Sequence, residues 1–261
     1  MTRAIFQAGA PCWIDLMTAD VHQAQEFYGT LLGWEFQGGD EEKYGGYLMA
    51  HKNGLPVAGM MQKQPDMADM PDVWTTYLGS TSADASSAGA LAAGGSVFFP
   101  PMDVPDQGIM GLVGDTTGAA IGIWQPQPMS GFELTYEPGA PYWFELFTRD
   151  FAGAQAFYRE AFDWDITVVS DSDEFRYATL GKDADSRAGI MDASAFLPQG
   201  VPDHWRVYLG VEDAVAAAKQ VVALGGAILS GPEDTPYGTV VSIADPTGAM
   251  VLLASGYPGN G

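Results

Sequence analysis

The chain is predicted to adopt an α+β fold, built from four βαβββ modules that make two similar domains with curved mixed sheets and helices on the outside. Three observations predict it. Residues 9–34, GAPCWIDLMTADVHQAQEFYGTLLGW, return as residues 139–164, GAPYWFELFTRDFAGAQAFYREAFDW, with 12 of 26 positions identical. Later landmarks keep that spacing: DVWTTYLG at 72–79 answers DHWRVYLG at 203–210, and DTTGA at 115–119 answers DPTGA at 245–249. Within each copy, alternating strand patterns follow a helical stripe, and this order occurs twice.

The elements follow in order. Cys12–Met17 and Tyr142–Phe147 are rich in β-branched and aromatic residues and follow a Gly-Ala-Pro turn, so both read as strands. The Thr-x-Asp after each can cap a helix, and Val21, Ala24, Phe27, Tyr28, Leu31 and Leu32 recur at helical spacing, as do Phe151, Ala154, Phe157, Tyr158, Ala161 and Phe162. Short strands are expected at Tyr47–His51 and Val57–Met61, mirrored at Phe175–Leu180 and Ala188–Met191. A strand at Val73–Leu78 or Trp205–Leu209 opens the second module, and a helix at Ala83–Ala93 or Ala214–Leu224 ends on a Gly-Gly pair. Strands near Val97–Phe99, Ile109–Val113 and Ala120–Trp124 close the first copy, and Ala227–Leu229, Thr239–Ile243 and Met250–Ala254 close the second. The domains are expected at 1–127 and 139–261, joined by a linker at 128–138 within the proline-rich stretch QPQPMSGFELTYEP.

Composition narrows the function. Eleven basic residues against 33 acidic ones give a net charge of −22, which repels phosphate backbones and anionic membrane surfaces. No nucleic-acid or membrane partner is expected. No apolar stretch approaches 18 residues, and the N-terminal segment lacks the pattern of a signal peptide, so a cytoplasmic protein is expected, as monomer or homodimer. Cys12 is the single cysteine, which excludes disulfides within the chain and Cys-cluster metal sites.

The strand–helix segments ending Glu26-Phe27-Tyr28 and Ala156-Phe157-Tyr158, the following Gly33-Trp34 and Asp163-Trp164, and the turn Ala244-Asp245-Pro246-Thr247-Gly248 carry a family likeness. Together they resemble the vicinal oxygen chelate superfamily of glyoxalases, bleomycin resistance proteins and extradiol dioxygenases. The tandem openings PCWIDL and PYWFEL look like the two-domain glyoxalase-like proteins found around secondary-metabolite pathways and labelled resistance protein or hydroxylase. The resemblance implies two ligand cups, each made by two modules. It also implies a metal site, with ligands on the first strand of each module and a glutamate seven residues beyond the turn aspartate. Those positions hold Trp13, Trp143, Gly122 and Leu252, with about Thr75 and Arg206 as counterparts in the second modules. None of the three histidines, His22, His51 and His204, has a His or carboxylate partner at a repeated position. No metal and no other cofactor is therefore expected.

Strand alternation turns Trp13, Asp15 and Met17, and Trp143, Glu145 and Phe147, into the cups. Asp15 and Glu145 have two roles open to them: fastening the seam between modules, or meeting a ligand as carboxylates tuned by desolvation toward a general base. His51, Thr75, Tyr77, Trp124, His204 and Tyr208 complete the expected linings, and Met49, Met60, Met61 and Met191 add polarizable faces suited to flat aromatic ligands. Arg206, on a short and mostly apolar strand, needs a carboxylate or a ligand oxygen, and Glu145 is its expected partner. Asp115, Gly118, Asp245 and Gly248 read as tight-turn residues. The leading expectation is a metal-independent protein that binds a small hydrophobic or aromatic molecule in each cup, for resistance or as a biosynthetic accessory. The alternatives are a metal-free enzyme with Asp15 or Glu145 as base and Arg206 or Tyr208 steadying an oxyanion, and a metal-dependent lyase or dioxygenase using His51 or His204.

Overall fold

The computed structural model describes residues 6–38 and 41–256. Each copy folds into one eight-stranded mixed sheet. In the first copy β1 (Pro11–Thr18), α1 (Val21–Leu32), β2 (Glu35–Gly38), the one-turn α2 (Glu41–Tyr44), β3 (Leu48–Lys52) and β4 (Leu55–Gln62) form one module. β5 (Val73–Gly79), α3 (Ala83–Ala92), β6 (Ser96–Val104), β7 (Gly108–Gly114) and β8 (Ala120–Pro126) form the other. The strand order is β2-β3-β4-β1-β5-β8-β7-β6. The modules join through the antiparallel pair β1–β5, which sets Asp15 opposite Thr75 and Trp13 opposite Tyr77.

The second copy repeats the plan. Its elements are β9 (Pro141–Thr148), α4 (Phe151–Phe162), β10 (Ile166–Asp171), β11 (Arg176–Leu180), β12 (Ala188–Asp192), β13 (His204–Gly210), α5 (Ala214–Ala223), β14 (Ala227–Thr235), β15 (Gly238–Ala244) and β16 (Met250–Ser255). The central pair β9–β13 sets Glu145 opposite Arg206 and Trp143 opposite Tyr208. β2 and β10 complete the three-strand runs of their modules; β2 (EFQG) is short, polar and mostly exposed, whereas β10 (ITVVSD) is rich in β-branched residues and was not among the expected strands. β6 and β14 run to nine residues each, where the apolar pattern marks only three.

Helix ends follow local chemistry. Asp20 Oδ1 accepts from the Gln23 amide at 3.0 Å, and Asp150 Oδ1 accepts from the Gly153 amide at 2.9 Å, satisfying donors that the first turn leaves open. Gly33 ends α1 in the left-handed region, and Asp163 takes the same conformation at the end of α4. Phe27, Tyr28, Phe157 and Tyr158 point inward and are almost fully buried, each contributing roughly 1.5–3 kcal/mol of apolar burial.

The two copies share one core. Helix α3 packs on α4, α1 on α5, and β5 lies against β13, so the helix-covered faces meet back to back. Trp34 Nε1 donates to the Gly139 carbonyl at 2.7 Å, and Trp164 Nε1 donates to the Gly9 carbonyl at 2.8 Å, so each repeat's tryptophan holds the turn that opens the other repeat. Tyr28 accepts from Trp74 Nε1 at 3.0 Å and donates to Asp245 Oδ2 of the second copy at 3.1 Å. On the other side Tyr158 accepts from Trp205 Nε1 at 2.8 Å and faces Asp115, whose Oδ2 is buried with no hydrogen-bond partner among the described residues. Asp115 and Asp245 do brace their own turns, each accepting from two backbone amides, but their place at the join between repeats goes beyond the turn role read from sequence.

The segment between the copies is ordered against the molecule. The Phe132 amide donates to the Cys12 carbonyl, Phe132 stacks on Phe144 with an interplanar angle of 6°, and Leu134 is fully buried.

Candidate functional site

On the outer face of each sheet, opposite the helices, the central strands carry the same four-residue cluster. In the first copy Trp13 Nε1 donates to the Tyr47 hydroxyl at 2.8 Å. Tyr47 and Tyr77 in turn donate to Asp15 Oδ2, at 3.4 and 3.0 Å. In the second copy Trp143 Nε1 donates to the Tyr177 hydroxyl at 2.9 Å, Tyr208 donates to Glu145 Oε2 at 2.7 Å, and Tyr177 interacts with the same carboxyl. Tryptophan, tyrosine, acid and tyrosine thus recur as a unit.

Glycines make room for these tyrosines. A Cβ at Gly59 would overlap the Tyr47 hydroxyl, one at Gly189 the Tyr177 hydroxyl, and one at Gly122 the Tyr77 ring. Tyr47, Tyr177 and their glycines were not singled out from sequence, although Tyr47 and Tyr177, like Gly59 and Gly189, stand at equivalent positions of the repeat.

Burial sets the electrostatics. Removal from water pushes the Asp15 carboxyl up to about 7, even though both tyrosine hydroxyls favour its charged form. Burial also raises Glu145, opposed by Tyr177, Tyr208 and the charge of Arg206. The tyrosine hydroxyls bonded to these acids are themselves pushed up by burial, and Tyr77, Tyr47, Tyr177 and Tyr208 hold their protons as donors. Each cluster therefore holds an acid whose charged form is disfavoured by burial, and in the first copy this brings Asp15 close to neutrality.

The two clusters differ in exposure and in their neighbours. Trp13, Asp15 and Tyr77 are 3%, 7% and 6% exposed, with Met17 and Thr75 more open beside them. In the second copy Trp143, His204, Arg206 and Tyr208 are all half-buried. Arg206 differs from expectation. Its guanidinium lies 4.7 Å from the centre of the Phe147 ring and Nη2 donates to Ser242 Oγ at 3.0 Å, while Glu145, which it senses only through space, is held by the tyrosines. The His204 ring also faces Phe147, at 6.0 Å, and its Nδ1 lies 2.9 Å from the Pro202 carbonyl oxygen. Burial lowers the His204 pKa.

The remaining two candidates are committed elsewhere. Trp124 Nε1 donates to the Met129 carbonyl at 2.9 Å, and His51 Nδ1 lies 3.2 Å from the carbonyl oxygen of Met49 on its own strand.

The donor set does not fit a divalent ion. Each floor offers one carboxylate, the Tyr77 ring fills the space that a ligand at position 122 would need, and Leu252 stands at the matching place in the second copy. No group of three or more His, Cys, Asp or Glu side chains converges anywhere among the described residues. No helix among them is long and apolar enough to cross a membrane.

Residues 141–253 match the model of the Glyoxalase/Bleomycin resistance protein/Dioxygenase superfamily. The chain is 35% identical over 259 residues to "Putative glyoxylase CFP32" of Mycobacterium bovis, covering 98% of both chains. It is 33% identical over 288 residues to "Anthracycline biosynthesis protein DauV" of Streptomyces sp. (strain C5), covering 99% of this chain and 98% of the relative. Among solved structures, the Mn(II)-bound glyoxalase of Novosphingobium aromaticivorans superposes with a TM-score of 0.65 at 18% identity, over 96% of this chain and 83% of that one. The 2,3-dioxygenase LapB of Pseudomonas sp. KL28 gives 0.65 at 13% identity, over 97% and 94%. The repeated modules, the paired sheets and full-length relatives at this level of identity together assign the chain to the glyoxalase/bleomycin resistance protein/dioxygenase superfamily.

Proposed function

We propose that this protein binds a flat, largely apolar aromatic molecule against the floor of each cup without using a metal ion, serving resistance to such a compound or its biosynthesis. The observation that carries this reading is the twice-built cluster of tryptophan, two tyrosines and one buried acid. Indole and phenol rings provide broad faces for a planar ligand, most openly at half-buried Trp143 and Tyr208, while an acid whose charged form is disfavoured by burial adds a hydrogen-bonding point. The second cup, with Trp143 and Tyr208 half-buried, is the more open. Relatives named for anthracycline biosynthesis support the ligand class, since anthracyclines are planar polycyclic aromatics.

Fluorescence titration with a soluble anthraquinone tests the reading. Quenching should saturate, and Trp143→Phe should remove most of the signal while Trp13→Phe removes less. Failure of every planar aromatic to alter either tryptophan would refute it.

A second reading has its own support: Asp15, raised to about 7 and oriented by two tyrosines, has the properties of a general base. In that case the base takes a proton from a bound aromatic substrate, and the Tyr47 and Tyr77 hydroxyls that donate to it hold it in place. Replacing Asp15 with Asn and Glu145 with Gln separates the readings. A binding protein keeps its affinity within a few-fold; an enzyme loses turnover.

A further inference from the structure

The two copies are not equivalent, and at one cross-strand position the difference adds a permanent charge. Opposite the acid, the first copy has Thr75 and the second has Arg206. A half-buried guanidinium carries five N–H donors and cannot shed its charge. Only Nη2 is committed to a protein acceptor, Ser242 Oγ, and no carboxylate lies within ion-pairing distance among the described residues.

The guanidinium carbon sits over the ring of Phe147, 4.7 Å from its centre, and Ser242 holds Nη2. Glu145, the carboxyl on the facing strand, is engaged by Tyr208 at 2.7 Å instead. The result is a cation held at two points, with no acceptor for its other donors among the described residues, beside half-buried Trp143 and Tyr208. A planar fork of this kind matches the two oxygens of a carboxylate. The first cup, with a threonine hydroxyl at this point, has no such charge.

We propose that the second cup selects aromatic molecules bearing a carboxylate, which Arg206 receives while the ring system lies along Trp143 and Tyr208, and that the first cup takes uncharged aromatics. This rests on the reading that the cups hold aromatic ligands. Arg206 is then a specificity-determining residue, and the duplicated halves serve two different ligands or two ends of one.

Calorimetric titration at neutral pH with 2-naphthoate and its uncharged isostere 2-naphthamide tests the assignment, in the full chain and in Arg206→Thr, which copies the first cup's own residue. One equivalent of naphthoate per chain should bind at least about tenfold more tightly than naphthamide, from the strength of a charge-assisted contact. Arg206→Thr should erase that preference by weakening naphthoate about tenfold or more, with naphthamide changed less than about twofold, so the amide doubles as the control for folding. A wild-type protein indifferent to the charge, or a preference that survives Arg206→Thr, would overturn the inference and leave the cup reading standing. Binding of neither probe, nor of the anthraquinone above, would overturn both.

Discussion

Tyr28→Phe removes one oxygen from the centre of the molecule, and its cost can be worked from two contacts. That hydroxyl accepts from Trp74 Nε1 at 3.0 Å and donates to Asp245 Oδ2, across the join between repeats, at 3.1 Å. Tyr28 is fully buried, so phenylalanine leaves an indole N–H and a carboxyl oxygen without replacement partners. At about 1–2 kcal/mol for each orphaned group, the loss is about 2–4 kcal/mol, or a fall in melting temperature of about 5–15 °C for a chain of this size. Tyr158→Phe is the internal control. Its Trp205 bond is equally good at 2.8 Å, but its contact with Asp115 falls short of hydrogen-bond geometry, so this variant should lose less. Urea unfolding followed by tryptophan fluorescence measures both. A loss below about 1 kcal/mol in Tyr28→Phe, or a larger loss in Tyr158→Phe, would refute the view that this hydroxyl ties the repeats together.

Two further outcomes follow from the site. Because the folded protein holds the Asp15 proton up to about 7 against an ordinary 3.8, that carboxyl favours folding below about pH 4, and the contribution disappears as pH rises to about 7. It amounts to about 4 kcal/mol across that window, and Asp15→Asn should flatten the corresponding slope in denaturation measured from acid to neutral pH; an unchanged slope would show that Asp15 does not titrate there. Gly122→Ala should cost about 1–3 kcal/mol in denaturant unfolding, because its methyl group takes the place of the Tyr77 ring, whereas full stability would mean that the ring is free to move aside.

The fold was legible because the chain states it twice. A strand such as PCWIDLMT is ambiguous alone, but with PYWFELFT at the equivalent position of a second copy, the inward acid and the outward apolar face are fixed together. β2 escaped because a short exposed strand needs only backbone pairing and has no apolar face to show, whereas the β-branched run at 166–169 in β10 was a legible signal that went unread. Alternation placed Asp15 and Glu145 on one face, and the family resemblance pointed to Arg206 as the counterpart of a ligand position, yet its contacts were misassigned. Register places Glu145 opposite Arg206, but the rotamer that lays the guanidinium on Phe147 and reaches Ser242 depends on side chains from two other strands. Tyr47 and Tyr177 escaped for a related reason. They reach the acids from β3 or its approach and from β11, across an intervening strand whose glycine gives them passage, so the contact exists only once the sheet is assembled. The Tyr28–Asp245 bond spans 217 residues, beyond any local pattern.

The most direct test of the central claim is equilibrium binding of a planar aromatic to protein stripped exhaustively with a chelator, repeated after restoring Mn(II), Fe(II), Ni(II) or Zn(II). With tryptophan, glycine and leucine where the superfamily's chelating residues are expected, affinity and stoichiometry should be the same with and without each ion. Binding that vanishes on stripping and returns with one of those metals would contradict the account.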